Sequence, residues 1–177
     1  MEGGILAREI DDIAKRKKYK QNQYGDRKSR KDDYTGERVF SGNTEKAIKK
    51  HPIDKISDTD HVTPIKVVQS RYKGLSDDQQ RIIANSEHNY AITNSKLNRS
   101  KGGLENHEYL MRQTLKGENP GLKTSAKMLE KEAESRIAMR VQATAMYTEN
   151  VVHKISDTDF AMKAKGINQA GKEEAVN

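Results

Sequence analysis

The sequence predicts an α+β fold, a small core of two strands and a helix with further helices flanking it, and three stretches predict it. The first is Val62-Thr63-Pro64-Ile65, which follows Asp60-His61 and reads as a short strand ending at a proline turn. The second, Asn89-Tyr90-Ala91-Ile92-Thr93, reads as a second strand. The third, Asn94 to Lys101, begins with an Asn or Ser able to cap a helix and is stopped by Gly102-Gly103. The expected order is strand, long loop, strand, helix.

Length and composition limit what can surround this core. A chain of 177 residues has room for one domain with extensions. Only 33% of it is hydrophobic, Trp is absent and there are two Phe, so a small core with long polar arms is expected. A formal net charge of +7 suits a polyanionic partner, nucleic acid first among them. With no cysteine, neither a disulfide framework nor a Cys-ligated zinc site can form. The first thirteen residues have too few consecutive apolar positions for a signal peptide, and no stretch is apolar enough to span a membrane. A cytoplasmic protein without a membrane partner is the expectation.

In chain order, Ile5, Leu6, Ile10 and Ile13 recur at helical spacing ahead of the basic run Lys15 to Lys20. Residues 1–31 are thus expected to form a basic helical arm, with Arg16, Lys17 and Lys18 as candidates to meet phosphates. Asp33 to Phe40 reads as a hairpin turning at Thr35-Gly36, with Val39 and Phe40 to bury. Gly42 to Lys50 reads as a short helix stopped before His51-Pro52. Ser76 to Asn85 reads as another, with a Ser-x-x-Gln capping box, Ile82 and Ile83 to bury, and a scaffolding role away from any chemistry.

Beyond the core, Leu104 to Leu115 is helical in pattern, with Leu104, Tyr109, Leu110 and Met111 as candidates for burial, and Gly117 to Gly121 breaks it. Residues 117–159 then carry a long amphipathic helix capped at Thr124 or Ser125, with an apolar stripe of Met128, Leu129, Ala133, Ile137, Val141, Ala145 and Met146. Such a stripe folds back on the core, pairs with a second copy of the chain, or grips a partner protein. Residues 160–177 read as a loose polar tail. The hexapeptide Lys55 to Asp60 recurs as Lys154 to Asp159, but Phe160 stands where the first copy continues with His61, and the second copy reads as a reused surface segment.

The chemistry suggested by the core follows from its residue types. A carboxylate beside an imidazole supplies a hard-cation ligand and a proton acceptor, and a carboxamide from the helix can bring a second oxygen to the same cation. Lys96, Arg99 and Lys101 add positive charge at that end, where a phosphodiester would sit.

Asp60-His61-Val62-x-Pro64, then His88-Asn89, then Asn98-Arg99-Ser100-Lys101 resembles the HNH endonuclease motif of the ββα-metal superfamily, in the variant that ends in Asn, as in the HNH domain of CRISPR effector nucleases. The resemblance covers residues 32–116, and Asn89 and Asn98 stand nine positions apart as the pattern requires. It implies a ββα-metal core, treble-clef-like but without zinc knuckles, in which Tyr34 and Phe40 fill the knuckle's space. It further implies His61 as the base that activates water, Asp60 and Asn98 as ligands of Mg²⁺ or Mn²⁺, and Asn89 as the brace of the His61 loop. Lys96, Arg99 and Lys101 would then meet flanking phosphates, and His88 could line the site. His107 could also be argued as the terminal residue of the motif, but Asn98 keeps the nine-residue step and the lysine that follows.

The function so implied is metal-dependent hydrolysis of nucleic acid, DNA being the expected substrate. The alternatives are a catalytically weak binding module of the same fold, or a packaging component of a phage or mobile element.

Overall fold

The computed structural model describes residues 6–42 and 49–174 and combines helices with two small antiparallel sheets. Helices α1 (Ala7–Ile10) and α2 (Ile13–Tyr24) are separated by Asp11-Asp12, and Asp12 caps α2 by accepting from the Lys15 amide. Strands β1 (Ser29–Lys31) and β2 (Arg38–Phe40) pair antiparallel, with Arg30 opposite Val39. Strand β3 (Ser57–His61) follows, then α3 (Ile65–Arg71) and α4 (Asp77–Ala84). Next come β4 (Tyr90–Asn94), α5 (Ser95–Lys101), α6 (Asn106–Leu115) and α7 (Leu122–Glu174).

The centre of the molecule is the pair β3–β4, which puts Ser57 opposite Asn94, Asp60 opposite Ala91 and His61 opposite Tyr90. Strand β4 runs straight into α5, because the Asn94 side chain accepts from the Leu97 amide and so satisfies one of the first-turn donors. Gly102 ends the helix at φ +60, a backbone angle that suits glycine. A single bridge between Phe40 and Ile56 joins the two sheets.

The strand that carries His61 lies earlier than its hydropathy suggests. The polar run 57–61 is the strand, and Val62 to Pro64 leads into α3, which occupies part of the expected long loop. Ser57 tolerates burial because its neighbours are polar: its hydroxyl donates to the Phe40 carbonyl and shares a hydrogen bond with the Tyr24 hydroxyl. The first hairpin likewise begins earlier than expected, with residues 32–37 forming the turn. The helix expected over 42–50 is centred on positions outside the described residues.

Three apolar clusters fill the interior. Ile10, Val68, Tyr72, Ile83 and Met139 form one, so the N-terminal arm is docked rather than free. Tyr19, Tyr24, Val39, Tyr90 and Ile92 form the second, between α2 and the sheets. Tyr34, Val62, Ala91, Tyr109 and Met128 form the third. The capping box of α4 is present, Ser76 with Gln79, but only Ile83 of its two isoleucines is buried, Ile82 being exposed.

The long helix folds back on the core through a different face from the one its apolar residues suggest. Met128, Glu132, Ser135, Met139 and Ala143 are buried at helical spacing, whereas Leu129, Ile137 and Val141 are exposed. Glu132 and Ser135 sit inside because the core offers them polar partners: Glu132 accepts from the His107 amide, and the Ser135 hydroxyl donates to Asn89 Oδ1. Where a loose tail was expected, α7 continues as helix to Glu174. No described helix is long and apolar enough to cross a membrane.

Candidate active site

Asp60 ends up inside the third cluster because it faces α5 and the turn after β1. Its Oδ2 accepts from the Tyr34 hydroxyl at 2.8 Å and from Lys101 Nζ at 2.8 Å, and its Oδ1 is 3.1 Å from the same ammonium. Lys101 also donates to the His61 carbonyl at 2.8 Å and has no solvent exposure. This corrects the expectation that Lys101 meets flanking phosphates: the residue sits at the buried end of α5, where its charge is matched by Asp60. Tyr34 is fully buried, and burial, followed by the neighbouring Asp60 charge, raises its pKa well above the usual phenol value.

The next residue, His61, faces the other side of β3, as strand alternation requires. Its Nε2 lies 3.4 Å from Asn85 Oδ1 and 4.0 Å from Asp11 Oδ1, and its ring stands edge-on to Tyr90 with centroids 5.2 Å apart. Asn85 is fixed in turn by donating to the carbonyls of Ile10 and Arg81, and it accepts from the Tyr90 hydroxyl and the Asp12 amide. The helix assigned to scaffolding therefore ends on the residue that orients the imidazole. Burial lowers the His61 pKa below the usual 6.5, and the Asp11 carboxylate offsets only part of that.

Asn89 pins the loop after His61. Its Oδ1 accepts from the Thr63 amide at 2.7 Å, its Nδ2 donates to the carbonyls of Thr63 and Ala84, and its carbonyl accepts from the Val62 amide at 2.9 Å. The carboxamide thereby holds both the N–H and the C=O of Thr63. A polar side chain with no exposure and four hydrogen bonds to three residues is an efficient brace.

Asp60, His61 and Asn98 line one cavity of about 240 Å³, with Arg16, Pro64 and Gly103 on its rim. The Asn98 side chain makes no hydrogen bond among the described residues, which leaves its oxygen available. A second cavity of about 350 Å³ shares Arg16, Thr59 and Asn98 with the first and continues along α2 past Lys17 and Lys20. Lys18, Lys96 and Arg99 are exposed and line neither cavity. His88, expected at the site, is exposed and lies outside both.

Asp60 and Asn98 are the residues of this cavity that could offer oxygens to a hard cation. Asp60 Oδ1 has only the longer contact with Lys101 and keeps lone-pair capacity, and Asn98 offers a neutral oxygen across the same cavity. The Lys101 charge beside Asp60 lowers the attraction for any second cation.

His107 belongs to a different cluster, with Glu105 and Glu132, whose potential ligand atoms all lie within 4.8 Å of one another. Each carboxylate there already has cationic partners. Glu105 accepts from Arg71 and Arg136 at 3.0 Å, and Glu132 from Arg136 at 2.9 Å and from His107 Nδ1 at 2.8 Å. Burial alone would raise the Glu105 pKa, but the two guanidiniums outweigh it and hold the carboxyl below its usual range. The cluster joins α3, α6 and α7 as a network of ion pairs. Sequence reading missed it, because its members are scattered and only the Glu105-x-His107 spacing hints at it.

Compared with known proteins, the chain matches no family model, no curated protein and no solved structure.

Proposed function

We propose that the chain is a divalent-cation-dependent HNH-type endonuclease that hydrolyses phosphodiester bonds in nucleic acid, with DNA as the expected substrate. The observation that carries this reading is the shared cavity of Asp60, His61 and Asn98, residues from two separate stretches brought onto one strand–strand–helix unit. His61, kept neutral by burial, takes the proton of the attacking water. Asp60 and Asn98 hold Mg²⁺ or Mn²⁺, which when bound neutralises charge on the scissile phosphate. Asn85 and Asn89 act on His61 indirectly, one through the ring and the other through the loop that follows it. Arg16, which lines the same cavity and pairs with Asp11 at 2.9 Å, would on this reading meet a phosphate oxygen.

The Lys101–Asp60 ion pair favours a second reading, a nucleic-acid-binding module of the same fold with little activity, since a matched carboxylate is a weaker cation ligand. Incubation with supercoiled plasmid and Mg²⁺, with and without chelator, separates the two. The nuclease reading expects chelator-sensitive nicking that His61→Ala abolishes. Equal turnover by that variant would rule His61 out as the base, and salt-sensitive binding without any nicking would leave the second reading.

A further inference from the structure

A broad cavity lies at the far end of α2 from His61. It measures about 780 Å³ and is lined by Arg27, Arg30, Lys31, Arg38 and Lys127. The two carboxylates in its wall, Asp32 and Asp33, are already engaged. Asp32 accepts from the amides of Tyr34, Thr35 and Asn94, and Asp33 from the Ile92 amide and from Arg30 at 2.5 Å. Lys31, Arg38 and Lys127, by contrast, make no side-chain ion pair or hydrogen bond among the described residues. Three unmatched cations around one concavity repel one another, and a polyanion relieves that repulsion.

The bare turn at Gly36 brings the third of these cations in. A Cβ built there would stand 2.9 Å from Lys127 Nζ, so the α7 ammonium lies directly over the hairpin turn and lines the cavity. The positive φ of +73 at this residue also suits glycine.

Helix α2 links this cavity to the candidate active site. Arg16 lines the His61 cavity, Lys17 and Lys20 line the next one, and Gln23 and Arg27 border the large one. Twelve residues of helix span about 18 Å, or about five phosphates of one duplex strand at roughly 3.4 Å each. We infer that Lys31, Arg38 and Lys127 form a second phosphate-binding site, which holds the backbone of a nucleic acid whose other end lies along α2 at the His61 cavity. This rests on the nuclease reading only for the direction of the strand, because binding at the second site needs no chemistry.

The test measures affinity for a labelled DNA duplex of about twenty base pairs in chelator, over a range of salt, so that no cleavage intervenes. The variant is Lys31→Ala/Arg38→Ala/Lys127→Ala. Its control is Lys73→Ala/Lys116→Ala/Lys154→Ala, which removes the same charge from exposed lysines outside the three cavities. The salt slope falls by about 0.9 for each phosphate that is no longer neutralised, so the first variant should drop by roughly two to three units of slope and bind at least tenfold more weakly, and the control should change far less. Circular dichroism of both variants checks that the fold is kept. Equal effects from the two variants, or none from the first, would overturn the second site. If the wild type shows no chelator-sensitive nicking while the first variant binds weakly, the nuclease reading fails and the phosphate site stands.

Discussion

Lys101 Nζ and Asp60 Oδ2 meet at 2.8 Å with the lysine side chain wholly buried, so the candidate cation ligand and the last residue of α5 form an interior ion pair. The pair also ties the helix to the backbone of His61, through whose carbonyl the same ammonium is bound. It is thus both a structural clasp and a competitor for any metal.

Lys101→Met should destabilise the fold by about 3 kcal/mol, because removing one partner leaves the other charge buried and unmatched. Urea denaturation measures this, and adding Asp60→Asn to the same protein should restore part of the stability. Mn²⁺ should stabilise Lys101→Met more than the wild type, since the freed carboxylate becomes the better ligand. A Lys101→Met protein as stable as its parent, or one indifferent to Mn²⁺, would contradict this account.

The lowered pKa of His61 sets two pH dependences. Cleavage should hold its rate as pH falls to 6.5 and decline only below it, because the base stays neutral there. Between 6.5 and the folded-state value the unfolded chain binds the proton more readily. His61 therefore contributes stability that is fully present above 6.5 and is lost as pH falls through that window. The melting temperature of wild type and His61→Gln, followed from pH 7.5 to about 5 in steps, should converge toward the acid end; parallel curves would refute it.

Asn89→Ala removes the hydrogen bonds to Thr63, Ala84 and Ser135 and leaves buried partners unsatisfied. A destabilisation of about 3 kcal/mol is expected. Nicking should fall further than DNA affinity does, because the loop that follows His61 loosens while the cationic surface is unaltered. Equal reductions in both would argue that Asn89 supports the fold as a whole and not that loop.

Arg136 bridges Glu105 and Glu132, so Arg136→Met should lower stability by about 2 kcal/mol by leaving both carboxylates short of a partner. In buffer without added divalent cation, a chelator should leave the melting temperature of the wild type unchanged, since this network is matched by guanidiniums. A chelator-induced drop that Arg136→Met does not share would instead mark Glu105, His107 and Glu132 as metal ligands.

Much of the local structure was legible because it is written in short-range chemistry. The capping box at Ser76, the cap at Asn94, the stop at Gly102 and the second strand depend on neighbours a few residues away, and all are found. What could not be read depends on distant partners. Lys101 looks like one more surface cation until Asp60 is placed beside it, and Asn85 looks like a helix end until it touches His61. The long helix misled for the same reason: its hydropathy favours Leu129, Ile137 and Val141, but the core has polar partners waiting for Glu132 and Ser135.

The repeated hexapeptide draws the line most sharply. Its composition permits two conformations, and the sequence determines no more than that, together with the caps, the turns and the basic character of the chain. At 55–60 it enters β3, buried against β4, with its final Asp held by Lys101 and Tyr34. At 154–159 the same letters lie within α7, with 154–158 exposed. Local propensities differ by less than about 1 kcal/mol per residue, whereas pairing and burial of a whole strand contribute several, so tertiary packing decided which copy became part of the site.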